Sequence, residues 1–349
     1  MNLSELVTSA AQRKISDIHL IFGLPPMLRL DGELIAAEGE APLTDADCND
    51  VARLLAGDAF PKLGTCGELD LARTFGSSRV RVNLFRQQGH ISTALRILSD
   101  TIPELESLGL PPAVLAFPNL QRGIVLVTGE TGSGKSTTLA AILRRINETR
   151  RDHIITLEDP IEYIHKPVLC AINQREIGQD TESYGDGLRA ILREDPNVIL
   201  IGEMRDLVTI ETALTAAETG HLVFATLHTG SAADSIDRMV DVFPAERQKQ
   251  IRMQLSITLQ AVLSQQLLPR KEHGRVAACE VMVMSSAIRN LIREGKTPQI
   301  ANSLATSADL GSVTMDNALL KLCRERAITT ETAVKAAREP EFVKKSLRL

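Results

Sequence analysis

Aromatic side chains and excess positive charge are what this chain of 349 residues has least of. It contains no Trp, two Tyr and eight Phe, so Leu, Ile, Val, Ala and Met must form most of its core. Few aromatics for base stacking and a net charge of −5 argue against a dedicated nucleic-acid-binding protein, although a local basic patch stays compatible with these numbers.

Cysteine pairs and long apolar runs are also missing. The five cysteines form no C-x-x-C pair and are odd in number, which fits neither a zinc site nor a disulfide framework. The first residues lack a basic stretch followed by an apolar one, and no apolar run approaches the ~20 residues that span a bilayer. We therefore expect a protein of the reducing cytoplasm.

Residues 1–98 have the pattern of a separate α/β domain. An amphipathic helix is predicted over residues 3–12 and a second helix over residues 45–55. Several runs with alternating apolar residues predict strands, and Asp31-Gly32 is typical of a hairpin turn between two of them. Residues 99–119, with four prolines and one glycine, are predicted to be a linker that holds a short helix.

From residue 120 to 349 the pattern predicts a second domain. Short apolar runs bounded by glycine or charge alternate with helical stretches, which indicates a mostly parallel sheet with helices on both faces. After about residue 245 the sequence is interpreted as mainly helical, including the whole stretch ERQKQIRMQLSITLQAVLSQQL. The expected fold class is α/β with a helical C-terminal part.

Residues 129–136, GETGSGKS, match the phosphate-binding pattern G-x-x-x-x-G-K-[ST] in full. An apolar strand precedes the motif and a helix follows it, which is the context that the pattern requires. Gly132 and Gly134 allow the backbone to turn successive N–H groups inward, and the helix N-terminus faces the same anion. Lys135 would bind the β- and γ-phosphates and Ser136 would bind Mg²⁺. The motif predicts that the protein binds ATP.

Carboxylates follow two predicted strands that could end beside this loop. In VILIGEMRD (198–206), Glu203 follows the apolar run, and Gly202 stands where an Asp is usual. In ITLEDPIEYIH (155–165), Glu158, Asp159 and Glu162 cluster within five residues, which favours a nearby cation. A nucleotide hydrolase needs such a group to steer Mg²⁺ or to orient water.

Two histidines flank the predicted strand HLVFATL. Their separation of seven residues places them on opposite faces of a sheet, so both do not line one pocket through strand geometry alone. His228 follows the strand's carboxyl end, where ligands bind in such sheets, and could sense the γ-phosphate. His221 lies near the start of the strand, where a structural role fits the pattern as well as a role in nucleotide binding does.

These blocks, in this order, resemble the secretion ATPase superfamily. GETGSGKS, ITLEDPIE, LRAILREDPNVILIGEMRD and TGHLVFATLHT correspond to its phosphate loop, Asp box, atypical Walker B and His box. SDIHLIFGLPPMLRLDGEL and AIRNLIREGKTPQI are similar to the first and C-terminal motifs of the retraction ATPases of type IV pili. The resemblance covers residues from about 3 to 320. The chain lacks the four-cysteine motif typical of the assembly ATPases.

The resemblance implies an N-terminal PAS-like domain, a RecA-like ATPase domain and a homohexameric ring with ATP between domains and subunits. It implies ATP and Mg²⁺ as ligands, an inner-membrane pilus platform protein and a paralogous pilus ATPase as partners, and a location at the inner face of the cytoplasmic membrane.

The same resemblance assigns roles to single residues. Glu162 or Glu203 would be the base; we assign water activation to Glu162 and the Walker B role to Glu203, with His228 as a third catalytic residue. Ser136 and Glu203 are the candidate Mg²⁺ ligands. The candidate nucleotide-binding residues are Gly129, Glu130, Thr131, Gly132, Ser133, Gly134, Lys135, Ser136, Thr137, Glu158, Asp159, His221, Arg81 and Arg96.

Two departures from the family pattern leave other functions open. Glu130 replaces a common Pro and would weaken ATP binding unless its side chain faces solvent, and Gly202 leaves the second motif with one acid. A nucleotide-gated accessory ring, an accessory retraction paralogue, a secretion or pilus assembly ATPase and a nucleic-acid motor are the alternatives. ATP binding without turnover would indicate the nucleotide-gated accessory ring, and stimulation of ATP hydrolysis by DNA would indicate the nucleic-acid motor.

Overall fold

The computed structural model describes residues 2–13, 15–30, 33–76, 78–98 and 101–348. The chain forms two compact units. Unit 1 comprises Met1–Ile102 together with the short segment Pro160–Ile164, and unit 2 comprises Pro103–Asp159 and His165–Leu349. Across the described residues, no helix is long and apolar enough to cross a lipid bilayer.

Unit 1 is an α/β unit built on one antiparallel sheet. Its six strands have the spatial order β3-β2-β1-β6-β5-β4, and every neighbouring pair is antiparallel. The elements in chain order are α1 (Leu3–Gln12), β1 (Asp17–Leu20), β2 (Met27–Leu30), β3 (Glu33–Ala36), α2 (Asp45–Ala56), α3 (Phe60–Cys66), β4 (Glu68–Phe75), β5 (Ser78–Gln87) and β6 (His90–Ile97).

Local sequence explains where these elements begin. Helix α2 starts with a capping box, in which Thr44 accepts from the Asp47 N–H and the Asp47 side chain accepts from the Thr44 N–H. The predicted hairpin is present as β2 and β3, and its expected turn residues, Asp31 and Gly32, lie outside the described residues. Apolar residues on one sheet face, including Val82 and Leu95, pack with the helices into the core of the unit.

Residues 103–119, predicted to be part of a linker, pack onto unit 2. They form two 3₁₀ segments, Leu105–Leu108 and Pro112–Asn119, whose Val114 and Phe117 are buried in the core of that unit. The Arg150 guanidinium donates to the carbonyls of Pro118 and Leu120 at 2.9 and 2.7 Å. The apolar side chains between the prolines explain this packing, since burying them stabilises the segment.

Unit 2 contains a seven-stranded sheet with the spatial order β13-β12-β7-β11-β10-β8-β9. All its strands run parallel except β13, which pairs antiparallel with β12. The elements in chain order are β7 (Gly123–Thr128), α4 (Lys135–Thr149), β8 (His153–Glu158), β9 (Ala171–Glu176), α5 (Tyr184–Ile191), β10 (Val198–Ile201), α6 (Leu207–Glu218), β11 (Leu222–Leu227), α7 (Ala232–Asp241), α8 (Ala245–Thr258), β12 (Leu259–Pro269), β13 (Arg275–Val283), α9 (Ser286–Glu294), α10 (Ile300–Ala305), α11 (Met315–Arg324), α12 (Thr330–Ala336) and α13 (Pro340–Leu347).

The central strands of this sheet are buried on both faces. In β7, Ile124 and Leu126 belong to the core on one side, and Val125 and Val127 belong to the core on the other. Continuous apolar runs such as GIVLVT therefore follow from the two helical layers that cover the sheet. This confirms the α/β class that the alternation of strands and helices predicts.

The prediction of a mainly helical chain after residue 245 is wrong for residues 259–283. Helix α8 ends at Thr258, and the following residues form β12 and β13 at the edge of the sheet. The run LQAVLSQQLLP is apolar at spacings that suit either a helix or a strand, and its burial beside β7 favours the strand. The residues beyond 285 are mainly helical.

His165 makes the folded protein sensitive to acid. Its side chain is buried, and burial lowers the pKa of the imidazole from the usual 6.5 to about 4. Between those pH values the unfolded chain binds a proton that the folded chain does not, so the free energy of unfolding falls as pH falls, by about 3 kcal/mol in all. We expect His165→Gln to remove this loss.

Urea unfolding of both proteins at several pH values between 4 and 7 measures the effect. As pH drops, the free energy of unfolding of the wild type should fall more than that of His165→Gln. Parallel curves for the two proteins would show that this histidine is protonated without penalty in the fold.

Candidate functional site

The loop 129–134 joins β7 to α4 and has glycines where its backbone adopts positive φ. Gly129, Gly132 and Gly134 have φ values of +139°, +81° and +92°, in the region that favours glycine. A Cβ at Gly129 would lie 2.3 Å from the carbonyl oxygen of Gln265 on β12. The sequence motif therefore folds into a tight loop that brings its backbone to the N-terminus of α4.

Lys135 and Ser133 are the side chains that turn into this loop. The Lys135 ammonium donates to the carbonyls of Gly129 and Glu130 at 2.8 and 2.9 Å. The Ser133 hydroxyl is buried and has no hydrogen-bond partner among the described residues. Ser136 and Thr137 lie in the first turn of α4 and are half-buried. A cation, an unpaired hydroxyl and a helix N-terminus at one place fit the phosphates of a nucleotide.

Glu130 has an exposed side chain, whereas its carbonyl oxygen takes part in the loop. The sequence departure at this position therefore places its carboxylate in solvent, where the charge is screened. Thr131 is exposed in the same way.

The carboxyl ends of four neighbouring strands bring Glu158, Glu203 and His228 to the same edge. The order β7-β11-β10-β8 and the register, with Thr128 opposite Leu227 and Ile201 opposite Leu157, align these ends. The phosphate loop follows β7, His228 follows β11, and Glu203 lies two residues beyond β10. Parallel strands bind ligands at this edge.

Glu203 is held at this edge by two neighbouring side chains. Its Oε1 lies 3.2 Å from His228 Nε2 and 2.5 Å from Arg205 Nε, and its side chain is 18% exposed. Burial raises the pKa of the Glu203 carboxyl, but the hydrogen bonds and charges of Arg205 and His228 outweigh it, so that the pKa lies below its usual value. Glu203 is therefore ionised at neutral pH, as a Mg²⁺-steering or water-orienting group must be.

Gly202, which stands where an acid is usual, is closely surrounded, so that a side chain here would push its neighbours by a few tenths of an ångström. A Cβ at this position would lie 3.0 Å from the Tyr184 hydroxyl, 3.1 Å from the Leu157 carbonyl and 3.2 Å from Glu158 Cα. Tyr184 belongs to α5, and burial and the nearby carboxylates raise the pKa of its hydroxyl. The tyrosine thus occupies the space beside Glu203 that the absent acid would take.

Restoring the usual acid with Gly202→Asp is therefore expected to impair the protein. Two of the three close atoms belong to the backbone, so the change should lower the free energy of unfolding by about 1–3 kcal/mol. Combining it with Tyr184→Phe should recover only part of this loss. Urea unfolding and ATP turnover of the single and double variants measure the effect; a Gly202→Asp protein with wild-type stability would contradict this packing.

The second acidic cluster is divided between the two units. Glu158 ends β8 in unit 2, where its Oε1 accepts from Thr156 Oγ1 at 2.7 Å and from Gln174 Nε2 at 3.4 Å. Asp159 follows it in unit 2. Glu162 lies in the segment Pro160–Ile164 of unit 1, where the Ile161 carbonyl accepts from Arg79 Nε at 3.1 Å. The roles assigned to these acids stay predictions.

His221 is not brought to the phosphate-loop edge of its sheet. It precedes β11, at the strand's amino end, where its Nδ1 lies 2.9 Å from the Ala216 carbonyl and 3.1 Å from Thr219 Oγ1. The six residues of the strand separate it from the edge that holds His228, and its assignment to nucleotide binding stays a prediction. Its contacts instead tie the end of α6 to β11.

Arg81 and Arg96 lie opposite each other on β5 and β6 of unit 1. Arg96 Nε donates to Asp17 Oδ1 at 2.9 Å, and Arg81 Nε lies 3.8 Å from Asp70 Oδ1. The side chain of Arg96 is 67% exposed and that of Arg81 is 44% exposed, so both guanidiniums stay available to an anion. Their assignment to the γ-phosphate stays a prediction.

Sequence reasoning missed Tyr184, Gln265 and Arg205. Gln265 is buried on β12, and its carbonyl oxygen packs closely against Gly129. Its Oε1 has no hydrogen-bond partner among the described residues. A polar pair, Gln265-Gln266, inside an apolar run was the available signal for a strand that ends at a polar site. Arg205 follows Glu203 by two residues, and no pattern indicates that the two side chains pair.

The donors at this edge fit Mg²⁺ held together with a nucleotide. Ser136, in the first turn of α4, offers a hydroxyl, and Glu203 offers an ionised carboxylate. No group of three or more His, Cys, Asp or Glu side chains that could hold a metal occurs within the part of the chain that the structure describes.

Comparison with known proteins matches residues 75–334 to the family described as Type II/IV secretion system protein. A "Type IV pilus retractation ATPase PilT" of Pseudomonas aeruginosa is 45% identical, over 98% of this chain and 99% of its own length. A "Twitching motility protein" of Neisseria gonorrhoeae is 43% identical, over 97% of this chain and 91% of its own length.

A solved structure of similar shape is that of the pilus retraction motor PilT with bound ADP. It is 44% identical to this chain, covers 99% of both chains and superposes with a TM-score of 0.92. The match extends over both units and over every motif described above. The chain therefore belongs to the type II/IV secretion system protein family, and its full-length relatives there include the pilus retraction ATPase PilT.

Proposed function

We propose that this protein is an ATP-hydrolysing motor that drives the retraction of type IV pili and thereby twitching motility. One observation carries the proposal: the phosphate loop is intact in a chain that matches a retraction ATPase over 98% of its length. The ADP-bound relative supports nucleotide binding at this loop. ATP hydrolysis follows from the family and from the acids at the carboxyl edge of the same sheet.

In this proposal, each residue at the carboxyl edge of the sheet has a defined part. Lys135 leaves the carbonyls of its own loop for the β- and γ-phosphates, and Ser133 and the loop N–H groups bind the remaining phosphate oxygens. Ser136 and Glu203 would hold Mg²⁺, which would supply positive charge beside the phosphates. His228, paired with Glu203, responds to the presence of the γ-phosphate.

The finer features of the proposal follow the family resemblance. Unit 1 is proposed to be PAS-like and unit 2 RecA-like, and six copies are proposed to form a ring. Glu162 activates water, and Arg81 and Arg96 contribute to binding of the γ-phosphate. The ring works in the cytoplasm against an inner-membrane platform protein, alongside a paralogous pilus ATPase.

Surface pilin in the source organism tests the direction of action. Deletion of the gene, and replacement by a Lys135→Ala allele, should both increase pilin sheared from the cell surface and abolish twitching. Fewer surface pili in both strains would identify an assembly or secretion motor instead. Surface pili and motility that depend on the gene but not on Lys135 would indicate an accessory paralogue.

A further inference from the structure

The loop 228–231 connects the site to the rest of unit 2. His228 at its start pairs with Glu203, and Ser231 at its end accepts from the Asp234 N–H at 2.9 Å as the N-cap of α7. Gly230 between them has no side chain with which to hold the loop in place. Thr229 beside the histidine has its Oγ1 2.6 Å from Ser235 Oγ, and two peptide units separate the histidine from the Gly230 carbonyl, the point that other elements hold.

Arg338 and Glu280 fix that point. Arg338 Nη2 donates to the Gly230 carbonyl at 2.6 Å and to Glu280 Oε1 at 3.1 Å. The same Glu280 oxygen accepts from the Ala232 N–H at 3.0 Å. The loop is therefore held at the Gly230 carbonyl by Arg338, which lies between α12 and α13, and at the Ala232 N–H by Glu280 of β13.

The same two residues are joined to the C-terminal helices. The second Glu280 oxygen accepts from the N–H of Met315, the first residue of α11, at 3.4 Å. The carboxylate of Asp316 accepts from the N–H groups of Arg338 and Glu339 at 2.8 and 3.1 Å. The buried Glu280 carboxylate thus accepts hydrogen bonds from the first residues of α7 and α11, and Arg338 donates to the loop.

Burial makes this arrangement sensitive to the loss of one partner. The Glu280 side chain is 6% exposed and that of Arg338 36%. A buried carboxylate without its cation is strongly disfavoured, so the pair holds only while the C-terminal helices keep Arg338 in place. A cavity of about 260 Å³ lies beside the pair and is lined among others by Asn302 and Phe342.

We propose that Glu280 and Arg338 are positioning residues that set His228 through the loop 228–231, so that ATP turnover depends on where the C-terminal helices lie. Among the described residues, neither side chain makes a hydrogen bond or ion pair with the loop 129–134, so we expect nucleotide binding by Lys135 to persist without them. This inference rests on the proposed ATPase function. It predicts that a partner which moves α11–α13 changes turnover more than affinity.

Steady-state kinetics of Arg338→Ala and Arg338→Lys in the full-length protein test the proposal, with Lys344→Ala as the matched control. Lys344, on α13, pairs only with Glu341 among the described residues and does not reach the loop. Arg338→Ala should lower kcat by about tenfold or more with KM for ATP within about twofold. Arg338→Lys should restore part of kcat, and Lys344→Ala should match wild type.

Hydrogen exchange of residues 228–232 gives a second readout. It should be faster in Arg338→Ala and in the milder Glu280→Gln, and unchanged in Lys344→Ala. A kcat within about twofold of wild type in folded Arg338→Ala, or an equal loss in Lys344→Ala, overturns the proposal. If Arg338→Ala does not fold, unchanged kcat and exchange in Glu280→Gln overturn it. If the wild type does not hydrolyse ATP, that result contradicts the ATPase proposal. Hydrogen exchange of residues 228–232 would then be the test of the positioning role of Glu280 and Arg338.

Discussion

Replacing Lys135 with alanine is expected to lower kcat for ATP hydrolysis by about 100-fold or more, because its ammonium is the cation that the loop brings to the phosphates. The loop itself should persist. Its shape comes from the glycines at positive φ and from the β7–α4 connection, and not from the lysine's bonds to two carbonyls.

Purified wild type, Lys135→Ala and Lys249→Ala compared in a phosphate-release assay measure this effect. Lys249 is an exposed lysine of α8, so its replacement controls for the loss of a positive charge from unit 2. Circular dichroism and thermal unfolding establish that each variant is folded. A Lys135→Ala protein that turns over at the wild-type rate would remove the phosphate loop from the catalytic account.

The second large effect concerns the two candidate acids, Glu203 and Glu162. Both Glu203→Gln and Glu162→Gln are expected to lower kcat, by about 100-fold each, since each removes a charged group proposed to act on water or on Mg²⁺. Only Glu203→Gln should also raise the Mg²⁺ concentration needed for half-maximal activity. Glu203 is the acid at the end of β10 beside His228, and Glu162 lies in unit 1.

Magnesium titrations of both variants, with Glu194→Gln as the control, separate the two roles. Glu194 pairs with Arg175 at 3.0 Å, so its loss tests a general change in charge. Equal Mg²⁺ dependence in Glu203→Gln and wild type would contradict a ligand role for Glu203. Wild-type turnover in Glu162→Gln would assign water activation elsewhere.

Much of the fold follows from local pattern. The helix predicted over residues 3–12 is present with those limits, because three buried apolar residues recur at helical spacing. The phosphate loop, the acid after β10 and the histidine after β11 are where the sequence predicts them. Each follows a strand whose short apolar run, bounded by glycine or charge, favours a buried position in a parallel sheet.

The sequence-based expectations differ from the structure where tertiary contacts, and not local pattern, decide which element a segment forms. The run that becomes β12 is apolar enough for either structure, and only its neighbour β7 selects the strand. The segment 103–119 has the composition of a linker, yet Val114 and Phe117 are buried.

The contacts that refine the site are invisible in the sequence because they join distant residues. Tyr184 fills the space beside Gly202, although 18 positions separate them in the chain. Arg338 contacts Gly230 across 108 positions. A single sequence carries no signal for such pairs, since each residue alone is ordinary in its own helix or loop.

Imaging of fluorescently labelled pili on living cells tests the central claim most directly. In cells whose chromosomal copy carries Lys135→Ala, pili should still extend but should not shorten, and long pili should accumulate. Pili that shorten as often as in wild type would contradict a retraction motor, and cells that extend no pili would show that this ATPase drives assembly.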